Sequence, residues 1–236
     1  MMRQFSNHSD NMVTRSAIYR EILMEMQIIG SNLPLLSAAV IAVFTIISLI
    51  SGELINVSCV GFEVVFPFFT AIAVGEWGKT KSDANYDVIA AQSKSLFRWV
   101  LMRYLTVWGI CSLSALGGMA AVFFIRREMT LGELICIYFP TAFLLSSLAA
   151  LTSLVYVQEH TAALVCGLVW LVSLMLRSLL QFPGLAYFYP FIRFAGTGND
   201  IWLVNKGVLC LMGLGLWGLI YWTCRCSNAK PISRSA

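Results

Sequence analysis

"LPLLSAAVIAVFTIISLI", residues 33–50, contains no charged side chain. A helix needs about 20 predominantly apolar residues to cross the hydrocarbon core of a bilayer. Five further runs of similar length follow, at residues 54–75, 104–125, 134–157, 161–180 and 207–224. Because lipid offers no hydrogen-bond partners to the backbone, each run is expected to be a helix. The sequence predicts an all-α integral membrane protein with six transmembrane helices.

The composition of the chain agrees with this class. Of its 236 residues, 58% are hydrophobic and 12% are charged, and the mean hydropathy is +0.77. A soluble domain carries about 25% charged residues. The seven cysteines stand mostly singly in apolar runs and match no zinc or disulfide framework, so no metal site is expected. We predict a single transmembrane domain over residues 1–236.

The basic residues set the expected orientation. Most Lys and Arg lie in residues 1–32, 76–103 and 225–236, and cytoplasmic loops of membrane proteins carry such an excess. With an even number of spans, both termini are expected to be cytoplasmic. Residues 225–236 then form a cytoplasmic tail, and 76–103 form the longest inner loop.

Two segments are expected to lie at the membrane surface. "SAIYREILMEMQII", residues 16–29, has an apolar stripe and predicts an interfacial helix, or alternatively the beginning of a long first helix. Before the last span, residues 181–206 combine two prolines with clustered aromatic side chains. Aromatic rings favour the headgroup zone, so this segment predicts a re-entrant hairpin of short helices in the outer leaflet.

"AVGEWGKTKS", residues 73–82, has the letters of a loose phosphate-binding loop. Such a loop works only between a buried strand and a helix. Here a lipid-length apolar run precedes it, and the chain has no material for a parallel sheet. We therefore expect this chain itself to bind no nucleotide or other cofactor.

The inner loop contains its own helical pattern. Glu76 ends the second span, and "NYDVIAAQSKSLFRW", residues 85–99, predicts a short amphipathic helix. Asp87 near its start and Lys94 and Arg98 toward its end match the helix dipole. Glu76, Lys94 and Arg98 are thus candidate anchors of the loop at the membrane surface.

At this loop the sequence resembles the type-2 ABC export permeases, of the bacterial export and self-immunity type. In that family the second span ends in Glu, a Gly-Thr-like turn follows, and a short helix leads through a Ser/Arg segment into span three. Glu76, Gly78, Thr80 and the segments 87–89 and 93–98 occupy those places, and Gln92 stands where Pro is often found. The resemblance in layout covers nearly the whole chain.

The resemblance implies a function and its partners. A separate cytosolic ABC subunit would bind ATP and Mg and hydrolyse the nucleotide, so this chain would be no enzyme. The inner helix would be a coupling helix between spans 2 and 3. The residues expected to contact the ATPase are Tyr86, Asp87, Val88, Ile89 and Gln92, with Glu159 as a second contact.

The other implied partners are a second permease subunit, identical or homologous, and membrane lipids, with no nucleic acid. The location would be the plasma membrane. The cargo would be a hydrophobic or amphipathic compound such as a drug, an antimicrobial peptide or a lipid-linked molecule.

Other interpretations stay open. The inner helix is alternatively a solvated connector that touches nothing. The whole chain is alternatively a membrane-embedded assembly protein without transport activity, or an intramembrane enzyme. The enzyme interpretation is the weakest of these, because the sequence lacks the converging polar groups that such chemistry needs.

Glu63 and Arg177 are the charged residues inside the predicted spans. A carboxylate in lipid is costly unless it faces water or a partner. Glu63 is therefore a candidate for the translocation path, or alternatively a carboxylate that bonds locally. Arg177 lies near the outer end of span five, where it can extend to the interface or pair with Glu63.

Overall fold

The computed structural model describes residues 26–27, 30–50, 58–79, 96–126, 129–158, 160–196 and 201–228. The predicted N-terminal interfacial helix falls almost wholly outside these ranges. The predicted coupling helix, from Tyr86 to Gln92, and the residues Lys94 and Glu159 also lie outside the described residues. These expectations stay predictions.

Every regular element in the described ranges is a helix, which confirms the all-α class there. The α-helices are α1 (Asn32–Ile50), α2 (Phe66–Trp77), α3 (Leu96–Arg126), α4 (Leu131–Val155), α5 (Thr161–Met175), α6 (Pro183–Ala186) and α7 (Ile201–Asn228). A π-helix, Val60–Val65, runs directly into α2, and a 3-10 helix, Leu176–Gln181, continues α5.

Four helical stretches are long and apolar enough to cross a membrane: Val60–Trp77, Leu96–Ile125, Leu131–Val155 and Ile201–Cys226. Asn32–Ile47 and Thr161–Met175 are apolar but shorter. Length and composition therefore indicate a multi-pass membrane protein. The last helix begins at Ile201 rather than at Gly207, so a charged residue, Lys206, lies inside it.

Local sequence explains where α4 begins. Thr130 precedes the helix, and its hydroxyl accepts a hydrogen bond from the Glu133 amide at 3.3 Å. The Glu133 carboxylate in turn accepts from the Thr130 amide at 3.0 Å. This reciprocal capping box satisfies two of the amide groups that a helix leaves free at its N-terminus.

α4 is the central helix of the bundle. It packs most extensively against α2 and α7 and also contacts α3 and α5, whereas α1 packs mainly on α3. Small buried side chains on α4 allow neighbouring helices to approach closely. They are Ala142, Ser146, Ala149 and Ala150.

Polar contacts join the helices at the level of two buried tyrosines. The Tyr138 hydroxyl on α4 lies 2.9 Å from the hydroxyl of Thr70 on α2. The Tyr104 hydroxyl on α3 lies 2.9 Å from that of Ser146 on α4. A buried phenol needs such a partner, so these pairs fix the register of α2 and α3 against α4.

Candidate functional site

Glu63 lies within the π-helix, and its side chain is fully buried. Pro67, four residues later, has no N–H to donate to the Glu63 carbonyl, so the α-helical hydrogen bond is missing there. The i→i+5 pattern of a π-turn accommodates this gap, and such turns are frequent at functional sites. Gly61 lets the Phe44 ring of α1 pack against the same turn, because a Cβ there would meet the ring.

Lys206 of α7 is the partner of Glu63. Its Nζ lies 2.6 Å from Glu63 Oε1, and the lysine side chain is only 4% exposed. The same Nζ donates to Thr141 Oγ1 of α4 at 2.9 Å and to the Pro190 carbonyl at 3.2 Å. All three ammonium protons therefore have acceptors.

The carboxylate of Glu63 also accepts two backbone hydrogen bonds. The Arg193 amide donates to Oε1 at 3.1 Å, and the Phe194 amide donates to Oε2 at 2.5 Å. These amides and the Pro190 carbonyl belong to residues 182–196, an irregular segment with one short helix that we call the hairpin; its re-entry into the membrane stays a prediction. We call Glu63, Lys206, Thr141 and these hairpin groups the outer cluster, after the orientation predicted from the sequence.

The outer cluster is electrically neutral and internally satisfied. Removing two charges from water costs several kcal/mol per ion, and mutual attraction offsets this only when further hydrogen bonds complete the site. Here both charged groups have those bonds. The cluster ties α2, α4 and α7 to the hairpin, so loss of one charge leaves the other buried and uncompensated.

Asn205, next to Lys206, holds the first half of the hairpin. Its Nδ2 donates to the carbonyls of Ala186, Tyr187 and Tyr189 at 3.0, 2.9 and 2.9 Å. The side chain is fully buried. The two N–H groups of this amide are thus shared among three backbone carbonyls of the hairpin, of which that of Ala186 also accepts from the Tyr189 amide at 3.4 Å.

Replacement of Asn205 with leucine, which has a similar volume, is expected to loosen the hairpin. Carbonyls left without a donor in a buried site cost about 1–3 kcal/mol. We expect faster cleavage of Asn205→Leu within residues 182–196 by limited proteolysis in detergent. Leu203→Ala, on an exposed face of the same helix, is the control and is expected to cleave at the wild-type rate. Equal cleavage of both variants would contradict the anchoring role.

Two arginines lie at the hairpin, and the guanidinium of Arg177 has a partner other than Glu63. Arg177 Nη2 donates to the Ala195 carbonyl at 3.1 Å, and its guanidinium lies 5.6 Å from the centre of the Phe194 ring. The Arg193 guanidinium lies 5.4 Å from the Trp202 ring centre. The Arg177–Glu63 pairing considered from the sequence is not the one observed, because Lys206 occupies that position.

A second polar cluster lies at the other end of α2. Glu76 Oε1 lies 2.7 Å from Nδ1 of His160, and Glu76 Oε2 lies 3.4 Å from Nζ of Lys79. His160 immediately precedes α5 and has a left-handed backbone, with φ of 64°. The contact therefore links the end of α2 to the turn between α4 and α5.

Arg103 of α3 completes this second cluster. Its Nη1 donates to the Lys79 carbonyl at 2.6 Å, and its guanidinium lies 4.7 Å from the Trp99 ring centre. The side chain is only 5% exposed. We call Glu76, Lys79, Arg103 and His160 the inner cluster. It lies about 20 Å along α2 from Glu63, at 1.5 Å per helical residue.

The structure describes only some of the residues that were predicted as sites. Glu63 is in the outer cluster, enclosed within the subunit, and Glu76 is in the inner cluster. Arg98 lies exposed in the first turn of α3. The translocation role of Glu63 and the anchoring roles of Glu76 and Arg98 stay predictions, as do the roles of the undescribed Tyr86, Asp87, Val88, Ile89, Gln92, Lys94 and Glu159.

Sequence reasoning missed Lys206, Asn205 and Arg103 as parts of polar clusters. Counting charge-free runs starts the last span after Lys206 and so assigns this lysine to a loop. A signal was nonetheless present. The apolar residues of 201–204 already precede Asn205 and Lys206, and Glu63 needs a cation at membrane depth.

No family model, curated protein or solved structure matches the chain. The class of protein indicated by the described residues is an all-helical, multi-pass membrane protein with a polar cluster at each end of α2.

Proposed function

We propose that this chain is the permease subunit of an ATP-driven ABC exporter that moves a hydrophobic or amphipathic compound out of the cell. ATP and Mg would be bound and used by a separate cytosolic subunit. A second permease subunit, identical or homologous, would complete the membrane part. The resemblance of the inner loop and of the helical layout to type-2 ABC permeases supports this function.

Six crossings are part of the proposal. α1 has 19 residues, which corresponds to about 28 Å at 1.5 Å per residue. α5 and the 3-10 helix that continues it have 15 and 6 residues, together about 34 Å. A hydrocarbon core is about 30 Å thick. Both shorter elements are therefore compatible with a crossing, in addition to the four longer ones.

The inner cluster suits the base of a coupling device. The described chain stops at Lys79 before the loop and resumes at Leu96 after it, and Arg103 of α3 donates a hydrogen bond to the Lys79 carbonyl. Both ends of the loop are therefore tied together. A displacement of the loop by a bound partner would move α2 and α3 together. The Glu76–His160 contact would transmit this movement to the turn before α5.

The Arg103–Lys79 contact is the single observation that carries the proposal furthest. A guanidinium buried at the base of a charged loop needs an acceptor, and here that acceptor is backbone from the opposite end of the loop. The base of the loop thus connects α2 to α3 through a hydrogen bond. Such a connection would let a partner that binds Tyr86, Val88 and Ile89 move both helices.

Co-purification tests the proposed function. The full chain, tagged at its C-terminus and expressed with its genomic neighbours, is expected to bring down an ABC ATPase in mild detergent. A tagged, unrelated membrane protein of similar size is the control for carry-over. The proposal would be contradicted if the recovered partners included no nucleotide-binding subunit, and if cross-linking in intact cells also captured no such subunit. That result would favour the assembly-protein interpretation.

Sided labelling tests the proposed orientation. Single cysteines are introduced as Asp87→Cys and Gly132→Cys in a chain whose native cysteines are replaced by serine. Gly132 is exposed and has open space around its Cα, so a cysteine fits. A membrane-impermeant maleimide is expected to label position 132 in intact cells, but position 87 only after permeabilisation. Labelling of position 87 in intact cells would show that the orientation is opposite to the predicted one.

A further inference from the structure

An apolar cavity lies between the end of α5 and the hairpin. Its volume is about 170 Å³. The apolar lining consists of Leu176, Leu180, Leu185, Phe188 and Pro190. Apolar cavities of about 150 Å³ in proteins stay dry and bind a benzene-sized molecule. This cavity therefore has room for a short stretch of alkyl chain.

Two polar side chains also line the cavity, Ser173 and Tyr189. The Ser173 hydroxyl donates to the carbonyl of Val169 in its own helix at 2.7 Å, so its proton is already used. Tyr189 is 6% exposed, and its hydroxyl has no hydrogen-bond partner among the described residues. A buried hydroxyl without a partner is unfavourable, and an acceptor supplied by a ligand would remove that penalty.

The phenol of Tyr189 is neutral at physiological pH, as an ordinary tyrosine is. Burial raises its pKa above the ordinary value, although the positive charge of Arg177 opposes this shift. A neutral phenol has a proton to donate. Arg177 directly follows the lining residue Leu176 in the chain.

Arg177 contributes an exposed positive charge to this part of the chain. Its guanidinium uses Nη2 for the Ala195 carbonyl, so further N–H donors on the same planar group remain available to a carboxylate or phosphate. The mouth also has exposed apolar side chains, Leu176, Leu185 and Phe188. The rim is thus apolar, and an exposed cation follows its residue Leu176 in the chain.

We propose that this cavity binds an anionic amphiphile, with part of its alkyl chain among the leucines, its acid head beside Arg177 and an oxygen acceptor near Tyr189. Two sources share this chemistry: an anionic phospholipid of the bilayer, and a single-chain fatty acid or similar acid. The site stands on the geometry of α5 and the hairpin. It does not depend on the ATP-driven transport proposed above.

Photo-cross-linking of the full chain in neutral phosphatidylcholine nanodiscs tests the site. The probe is a palmitic acid analogue with a diazirine on its chain. Cross-links are expected to map to residues 173–190, and an excess of unlabelled palmitate or of phosphatidylglycerol is expected to suppress them. Suppression by phosphatidylglycerol alone identifies the bilayer as the source, and suppression by palmitate alone identifies a single-chain acid.

Variants separate the cavity from its charge. Leu185→Trp fills the cavity and is expected to lower the cross-link yield at least about tenfold, because several CH₂ groups lose their burial. Arg177→Gln is expected to lower it about threefold to fivefold, as for one exposed ion pair. Leu203→Trp, on an exposed face outside the lining, is the control and keeps the wild-type yield.

A second filling variant, Ser173→Leu, keeps the test decisive if Leu185→Trp does not fold, and folding of each variant is checked by size-exclusion chromatography. The proposal is overturned by cross-links spread evenly over exposed faces of α1 and α7, which would mean annular lipid. It is equally overturned if palmityl alcohol, which has no charge, competes as well as palmitate. Unchanged yields in both filling variants would also overturn it.

Discussion

Replacement of Lys206 with methionine is expected to destabilise the folded chain by about 3–5 kcal/mol, the cost of leaving a buried charge without its partner. Methionine keeps much of the length of the lysine side chain but removes the ammonium that faces Glu63, Thr141 and Pro190. The carboxylate then keeps its two backbone donors but loses the ammonium. Titration with SDS in mixed micelles, followed by far-UV circular dichroism, measures the loss.

The control for this prediction is a second substitution that removes the other charge. Glu63→Gln in the Lys206→Met background is expected to recover at least about 2 kcal/mol, because contacting residues of one network do not behave additively. Arg225→Gln, which removes an exposed cation in the last turn of α7, is expected to change stability by less than about 1 kcal/mol. No recovery in the double variant would show that the loss comes from packing and not from charge.

If the proposed function holds, substitution of Tyr86, Val88 and Ile89 in the predicted inner helix is expected to uncouple this chain from its partner ATPase. Truncation of central contact residues commonly costs 2 kcal/mol or more, so Tyr86→Ala, Val88→Ala and Ile89→Ala together are expected to lower stimulation of the partner's ATP hydrolysis by about tenfold or more. The measurement is phosphate release by the partner in proteoliposomes that contain equal amounts of wild-type or variant permease.

The matched control for the inner-helix variant has three truncations on exposed, apolar faces of spans, Leu164→Ala, Leu168→Ala and Leu211→Ala. It is expected to stimulate the ATPase as the wild type does. Normal stimulation by the inner-helix variant would support the connector interpretation, in which residues 86–89 touch no partner. Loss of stimulation in both variants would point to general damage.

The helical class and the approximate helix positions follow from the sequence because charge-free runs of lipid length leave the backbone no alternative to helices. Leu33–Ile50 and the observed α1 differ by one residue at the start. Glu76 was also recognised as the end of the second span, and α2 ends one residue later, at Trp77. Local pattern was sufficient for these features.

The outer cluster was less accessible to sequence reasoning because it depends on contacts between distant residues. Glu63 and Lys206 are separated by 143 positions and meet only through the packing of α2 and α7 on α4. The periodicity of apolar residues along one helix does not show which charged residue of another helix it faces. The π-helix was equally hidden, since Pro67 permits several local solutions and the tertiary contacts select one.

The Arg103–Lys79 contact shows the same limit at the inner end. The sequence alone is compatible with an Arg103 that faces anionic headgroups, whereas this side chain is buried and donates to backbone 24 positions earlier. A long cation close to a span can reach either lipid or protein, and only the packing of α2 against α3 decides between them.

The most direct test of the central claim is ATP hydrolysis by the purified components, each alone and reconstituted together in the same liposomes. We expect this chain alone to release no phosphate, the co-purified nucleotide-binding subunit alone to work at a low basal rate, and the two together to work at a raised rate. Hydrolysis of ATP by this chain without a partner, or a partner rate that the wild-type chain leaves unchanged, would contradict a permease driven by a separate ATPase.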